Sequence, residues 1–155
     1  MPLGEPIIVN LEEDVADRRR HAKKLIGIVV LLALKDRATE ICFEYASGSA
    51  VLSYVVNSVR YELVPPPAFV AGAVVNRVRV MAELDFARRE PSRHREINFQ
   101  LGDRMIGAVV RSESADNVER AIIELPELPT DCSGRAHAML LRAVGALGRI
   151  SPATP

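Results

Sequence analysis

The chain has 155 residues and no net charge, because 20 Lys and Arg residues balance 20 Asp and Glu residues. A neutral chain argues against broad electrostatic binding to nucleic acid or to an acidic membrane surface. Two cysteines and three scattered histidines form neither a disulfide framework nor a metal-ligand pattern, so we expect free thiols, no metal and no cofactor.

The first predicted element is a long helix after an extended N-terminal lead-in. Asn10 suits the cap position with Glu13 at the third helical position, and the helix would extend to about Arg37. Its second half contains the ten-residue apolar run Leu25–Leu34, whereas a membrane span needs roughly twenty residues. Charged residues follow the run where a signal cleavage site would need small ones. We therefore expect a buried helix in a cytoplasmic protein, without stable membrane insertion.

Three short strands and a second helix are predicted next. The strands are Glu40–Tyr45, Ala50–Val56 and Val59–Leu63. The four residues Ala-Ser-Gly-Ser separate the first two strands and Asn57-Ser58 the last two, and both are typical of hairpin turns. Three consecutive prolines then open a helix that carries a valine stripe and ends near Ala87.

The second half repeats this rhythm. A charged loop is predicted for Arg88–Glu96 and a polar turn for Ser112–Asn117. The strands would be Ile97–Leu101, Arg104–Arg111 and Glu119–Leu125, and a last helix would extend from Thr130 to about Arg149. The order α-βββ-α-βββ-α predicts an α+β domain whose helices pack on an antiparallel or mixed sheet.

Two groups of arginines are candidate contacts for phosphate or for an acidic partner. The first group lies in the charged loop and the second recurs every seven residues on the last helix. They are Arg88, Arg89, Arg93 and Arg95, and Arg135, Arg142 and Arg149. Both groups also have a simpler explanation. Interleaved glutamates are typical of a solvent-exposed loop, and a row of basic residues is typical of the solvent-exposed side of an amphipathic helix. His94 between two arginines is a poor acid at neutral pH, so we expect no catalytic site.

No phosphate-binding loop is evident in the sequence. Gly102 and Gly107 have the spacing of such a loop, but Ala108 and Val109 stand where Lys and Ser or Thr are required. We therefore expect no ATP hydrolysis.

Four collinear segments nevertheless resemble a family of ATPases. Ala38–Glu44 is similar to the family's A-S-D-I-H-I-E, and Tyr54–Val59 to Y-R-I-D-G-V. The three prolines with Val75–Ala87 are similar to P-P-P followed by I-S-R-I-K-V-M-A-N-L-D-I-A, and Glu119–Leu125 to G-E-K-V-V-L-R-I-L. These segments resemble the hexameric assembly ATPases of type II secretion and type IV pili, the GspE and PilB type.

The resemblance implies a PAS-like domain of the kind that precedes the motor, over residues 22–125. Residues 1–21 would be a lead-in with the start of the first helix, and 126–155 a linker, helix and tail, with the motor absent. In the family, arginines flanking the second strand can reach nucleotide, whereas Ser53 and Val55 occupy those positions here.

These features favour a non-enzymatic interaction or regulatory module. Its partner would be a secretion or pilus ATPase, its membrane platform, or a second copy of the chain. Two alternatives stay open: a PAS-like small-ligand sensor, and a degenerate nucleotide-binding domain that uses Arg88, Arg89 and Arg93.

Overall fold

A computed structural model describes residues 7–16, 21–63, 73–74, 76–78 and 92–148. The helices are α1 (Leu11–Ala16), α2 (His21–Lys35) and α3 (Thr130–Gly148), and residues 73–74 and 76–78 are also helical. The strands are β1 (Ile8–Asn10), β2 (Glu40–Ala46), β3 (Ser49–Val56), β4 (Val59–Glu62), β5 (Ser92–Leu101), β6 (Arg104–Ala115) and β7 (Val118–Glu124). The predicted α+β class is confirmed, and its PAS-like character stays a prediction.

The strands form one seven-stranded sheet in the order β1-β5-β6-β7-β2-β3-β4. Two antiparallel meanders, β2-β3-β4 and β5-β6-β7, join through the antiparallel pair β2 and β7, where Phe43 lies opposite Ala121. The short strand β1 adds to β5 in parallel, with Val9 opposite Phe99. The predicted lead-in therefore contains a strand, which was missed because its hydrogen-bonding partner comes some ninety residues later.

Tight turns set the register of the hairpins. Asn57 and Ser58 have φ values of 50° and 66°, the left-handed pair that a two-residue type I′ turn requires. This confirms the predicted turn. Gly102, with φ 63°, turns β5 into β6, and Gly107 lies within β6. The two glycines with phosphate-loop spacing therefore belong to a β-hairpin.

The helices cover one face of the sheet, where inward-facing residues of the strands meet the apolar run of α2. Leu31 and Leu34 have no exposed surface, and Phe43, Phe99 and Ile123 are equally buried. The helical residues Val74 and Val78 belong to the same core. The predicted burial of the apolar run is confirmed, although one side of α2 is only partly covered.

The prediction of one long helix from residue 10 to 37 is wrong. Val15 of α1 lies against Gly27 of α2, so closely that a Cβ on the glycine would come within 2.9 Å of the valine side chain. In a continuous helix these two residues would be about 18 Å apart. α1 and α2 are therefore two helices packed side by side, and the missing side chain of Gly27 permits their approach.

Two predicted loops are parts of strands. Residues 92–96 belong to β5 and pair with 109–113 of β6, and β6 continues to Ala115. The charged loop and the polar turn were expected there because both segments lack apolar alternation. They lie toward one end of the hairpin, where Ser92 pairs with Glu113 and polar side chains are tolerated.

Helix α3 packs on its own domain. Cys132, Ala136, Met139 and Leu140 are buried against the shared core, mainly at α2. The hydroxyl of Ser133 also donates a hydrogen bond to the last carbonyl of α2, that of Lys35. No described helix is long and apolar enough to cross a membrane.

Candidate functional site

The sheet face opposite the helices, here called the open face, carries several exposed side chains among the described residues. It carries alternate residues of every strand, and the apolar core contains none of them. Ile8, Val51 and Met105 on this face keep 52%, 41% and 51% of their surface exposed. Within the described part of the chain, no helix packs against this face.

One part of the open face is a lattice of opposite charges. Two nitrogens of Arg120 on β7 donate to Glu44 on β2 at 2.9 and 2.7 Å. Arg111 on β6 bonds to Glu124 at 3.0 Å and to Glu113 at 3.3 Å. The pairs Arg120–Glu44 and Arg111–Glu124 connect neighbouring strands, whereas Glu113 is on the same strand as Arg111, and each arginine charge is balanced by at least one carboxylate. The lattice therefore stabilises the sheet more than it attracts a highly charged ligand.

The part of the open face formed by β1 and the adjoining ends of β5 and β6 has no charged side chain, and we call it the neutral patch. It consists of Ile8 and Asn10 on β1, Asn98 and Gln100 on β5, and Met105 on β6. Cross-strand register places Asn98 between Ile8 and Gly107, and Gln100 between Asn10 and Met105. Exposed apolar side chains beside amides are typical of a surface that binds another protein.

The first predicted arginine group is not assembled within the described residues. Arg88 and Arg89 lie outside them, and only the backbone of Arg93 is described, in β5 opposite Ser112. Arg95 is half-buried on the helix-covered side of β5. Strand β5 thus sends Arg95 and His94 to opposite faces, which separates two residues that are adjacent in the sequence.

The predicted arginine stripe on α3 is held by carboxylates of its own domain. Arg135 donates to Asp131 at 2.9 Å and pairs with Asp103 in the β5–β6 turn. Arg142 approaches Glu12 of α1 at 3.8 Å, and both side chains are largely exposed. Arg149 lies outside the described residues. The role of these arginines as partner contacts stays a prediction.

A four-residue ion cluster therefore joins the start of α3 to the β5–β6 hairpin. Asp131 receives hydrogen bonds of 2.9 Å from both Arg104 and Arg135. Desolvation opposes the charge of Asp131, but the two guanidinium groups outweigh it and lower the pKa of this carboxyl group. The cluster holds the helix on the sheet.

Arg60 lies close to Ser53 and Val55, the two positions at which the resemblance to the assembly ATPases would place arginines. Ser53 is buried on the open face, and its hydroxyl accepts a 2.8 Å hydrogen bond from Arg60 on β4. Arg60 is opposite Val55 and also reaches Glu40 at 3.4 Å. Sequence reasoning missed Arg60, although the register set by the Asn57-Ser58 turn places it beside β3. Because Glu40 partly neutralises the positive charge of Arg60, this arginine would attract a nucleotide phosphate less strongly.

Neither cysteine has the properties of a nucleophile. Cys42 and Cys132 are both buried and free, and burial raises the pKa of each thiol. Within the described ranges, no three His, Cys, Asp or Glu side chains are placed to hold a metal ion.

A cleft of about 320 Å³ lies where α2 ends beside the β3–β4 hairpin. It is lined by Asp36, Tyr54, Val56 and Tyr61. The two tyrosine rings meet edge to face with centroids 6.2 Å apart, and the Tyr54 hydroxyl donates to Asp36. Burial, reinforced by this hydrogen bond, raises the pKa of Tyr54 to about 12, so the phenol stays neutral.

The end of α2 fixes the position of Asp36. The N–H groups of Arg37 and Ala38 bond back to Leu34 and Ala33 at 3.2 and 2.8 Å, the pattern of a Schellman cap. Arg37 has a φ of 59°, and its guanidinium donates to the carbonyl of Leu128 at 3.0 Å. The cap therefore places the Asp36 carboxylate beside the negative end of a helix dipole.

The described residues thus form a small α+β domain in which the helices lie on one face of the sheet. No family model matches the chain. The chain is 27% identical over 115 residues to the type II secretion system protein E of Pseudomonas aeruginosa. The aligned region covers 73% of this chain and 23% of that protein. It is 28% identical over 102 residues to the type II secretion system ATPase E of Vibrio cholerae, covering 66% of this chain and 20% of that protein.

A pilus protein shows the same similarity. The type IV pilus assembly ATPase PilB of Myxococcus xanthus is 28% identical over 79 residues, or 51% of this chain and 14% of that protein. The predicted resemblance to the secretion and pilus assembly ATPases is therefore confirmed. The chain spans about a quarter or less of the length of the curated relatives it matches.

Proposed function

We propose that this chain is a non-enzymatic interaction module that binds a protein of a secretion or pilus assembly machine through the open face. The observation that carries the proposal is the neutral patch, where Ile8 and Met105 are half exposed on a sheet face that none of the described helices covers. The partner would be an assembly ATPase or its membrane platform, since the chain resembles a portion of such ATPases.

The two parts of the open face would contribute differently to docking. The neutral patch supplies apolar contact area and amide hydrogen bonds, while the surrounding ion pairs disfavour partners that lack matching charges. Arg95 lies on the opposite face of β5, and Arg135 and Arg142 lie on α3; all three remain candidates for contacts with an acidic rim of the partner. Arg88, Arg89, Arg93 and Arg149 keep the same proposed role.

The binding test uses the full chain and the assembly ATPase encoded in the same genome. Met105→Glu and Ile8→Glu place a charge in the neutral patch and should weaken association at least about tenfold, because an unpaired interface charge is costly. Leu141→Glu is the matched control, since Leu141 is 59% exposed but lies on α3. Equal affinity of all variants would exclude the open face as the docking surface.

The second part of the proposal is the absence of ATP hydrolysis. Gly102 and Gly107 belong to a hairpin, and Ala108 and Val109 carry no group that pairs with phosphate or Mg²⁺. Purified protein should release no phosphate from ATP above a heat-denatured control. Mg²⁺-dependent turnover that survives further purification would overturn this part.

A further inference from the structure

We propose that the cleft beside the β3–β4 hairpin binds the arginine side chain of an extended protein segment that aligns with β4. The cleft lies on the helix-covered side of the sheet, because Tyr54 and Tyr61 face the same side as Ile41. Its occupancy is therefore independent of docking on the open face.

The lining of the cleft favours an organic cation. Tyr61 keeps 49% of its surface exposed, so its ring is accessible to a cation. Asp36 supplies a carboxylate that accepts from Tyr54 through one oxygen and contacts the Lys35 ammonium at 3.1 Å through the other. A carboxylate has about four acceptor positions, so Asp36 retains capacity for a further donor. The adjacent C-terminal end of α2 adds negative potential.

Guanidinium fits this lining better than ammonium. Its flat faces stack on an aromatic ring while its edge donates to a carboxylate, and Tyr61 and Asp36 offer both within one cleft. Val56 supplies an aliphatic wall for the methylene stem. A volume of about 320 Å³ is small for a cofactor but adequate for one long side chain.

The hydrogen-bond pattern of β4 shows how a segment would present that side chain. The backbone N–H of Leu63 donates to the carbonyl of Leu52 at 2.8 Å. Because hydrogen-bonded and non-hydrogen-bonded pairs alternate along an antiparallel ladder, the backbone N–H and C=O groups of Val59 and Tyr61 also point toward β3. The backbone N–H and C=O groups of Arg60 and Glu62 consequently point away from the sheet. Among the described residues, β4 pairs only with β3. An added strand would bond to these groups, with its arginine in the cleft.

The experiment follows backbone amide shifts by NMR during titration with N-acetyl-arginine amide and with its neutral counterpart N-acetyl-citrulline amide. Arginine should shift the amides of Asp36, Tyr54 and Tyr61, and citrulline should not. A five-residue peptide with a central arginine should shift Arg60 and Glu62 as well and bind about tenfold more tightly, because it adds backbone hydrogen bonds. If peptide and capped arginine bind equally, the occupant is a free small cation and edge addition is excluded.

Two substitutions should act in opposite directions. Asp36→Asn should weaken arginine binding, whereas Lys35→Gln should strengthen it, because Lys35 competes for the same carboxylate. Lys35 is a third exposed on the last turn of α2, so this variant is expected to fold and keeps the test decisive if Asp36→Asn does not fold. Tyr61→Ala should weaken binding about two- to fivefold and Tyr61→Phe should not. Equal shifts by arginine and citrulline, or no change in the Lys35→Gln affinity, would overturn the proposal.

Discussion

Leu31 and Leu32 are neighbours on α2 with different surroundings. Leu31 has no exposed surface, whereas Leu32 is only partly covered. Leu31→Ala should lower the free energy of unfolding by about 2–5 kcal/mol, because it leaves a cavity, and Leu32→Ala should cost less. Urea titrations of both variants measure the difference. Coincident unfolding curves for both variants and the parent chain would show that α2 is not part of the core.

Tyr54 predicts an alkaline limit to stability. Its pKa is raised from 10.0 to about 12, first by burial and then by the hydrogen bond to Asp36. Since the folded pKa exceeds the unfolded one, the contribution of the phenol is complete below pH 10 and is lost as the pH rises toward 12. The ultraviolet phenolate titration should lose its last step in Tyr54→Phe and keep it in Tyr61→Phe. Superimposable titrations of the two variants would contradict the assigned environment.

Some residues of the site could be anticipated and others could not. The apolar run of α2 indicates burial by composition alone, and Leu31 follows from it. The contact between Tyr54 and Asp36 is different, because it requires α2 to end at Lys35 and β3 to hold its register beside that end. Both conditions arise from tertiary packing, so no local pattern around either residue reveals the cleft.

At the scale of elements, α3 is part of the core. Its buried residues include Cys132 and Met139, and its start is bonded to the end of α2 through Ser133. A chain that ends at Pro129 should melt at lower temperature and bind a hydrophobic dye, because it uncovers apolar surface of α2. Thermal denaturation with the dye present measures both effects. An unchanged melting temperature and unchanged dye binding would show that α3 contributes no core packing.

The ion pairs of α3 are unequal. Arg135 bonds to two carboxylates, one of them on the β5–β6 turn, whereas the partner of Arg142 among the described residues, Glu12, is 3.8 Å away. Exposed ion pairs contribute little to stability, so Arg135→Gln should lower the urea midpoint slightly and Arg142→Gln should leave it nearly unchanged. Denaturation at low and high salt separates the two variants, since salt should shrink the Arg135 effect. A larger loss from Arg142→Gln would contradict this ranking.

Most elements follow from the sequence, and the exceptions share a physical cause. The hairpin around Asn57 and Ser58 is local, because turn chemistry sets its register. The separation of α1 from α2 depends on the close contact of Val15 with Gly27, which a helical pattern does not reveal. β1 is a strand only because β5 provides hydrogen bonds. Long-range pairing overrides local propensity in both cases.

At the scale of the whole molecule, the sheet order predicts that the N-terminal portion does not fold alone. In the complete sheet β1 pairs with β5, and β2 pairs with β7. A fragment of residues 1–63 lacks both partners and should show no cooperative unfolding transition by circular dichroism, in contrast to the full chain. A sharp transition in the isolated fragment would show that β1 and β2 have found another arrangement.

The same sheet order has a consequence for synthesis on the ribosome. β1 and β2 are made early, yet three strands made later occupy the space between them. At the usual strand spacing, these three intervening strands occupy a width of about 14 Å. The nascent chain therefore holds two unfinished sheet edges until Glu124 has left the exit tunnel. Slow translation between β4 and β5 would prolong the exposure of these edges and favour pairing with other nascent chains.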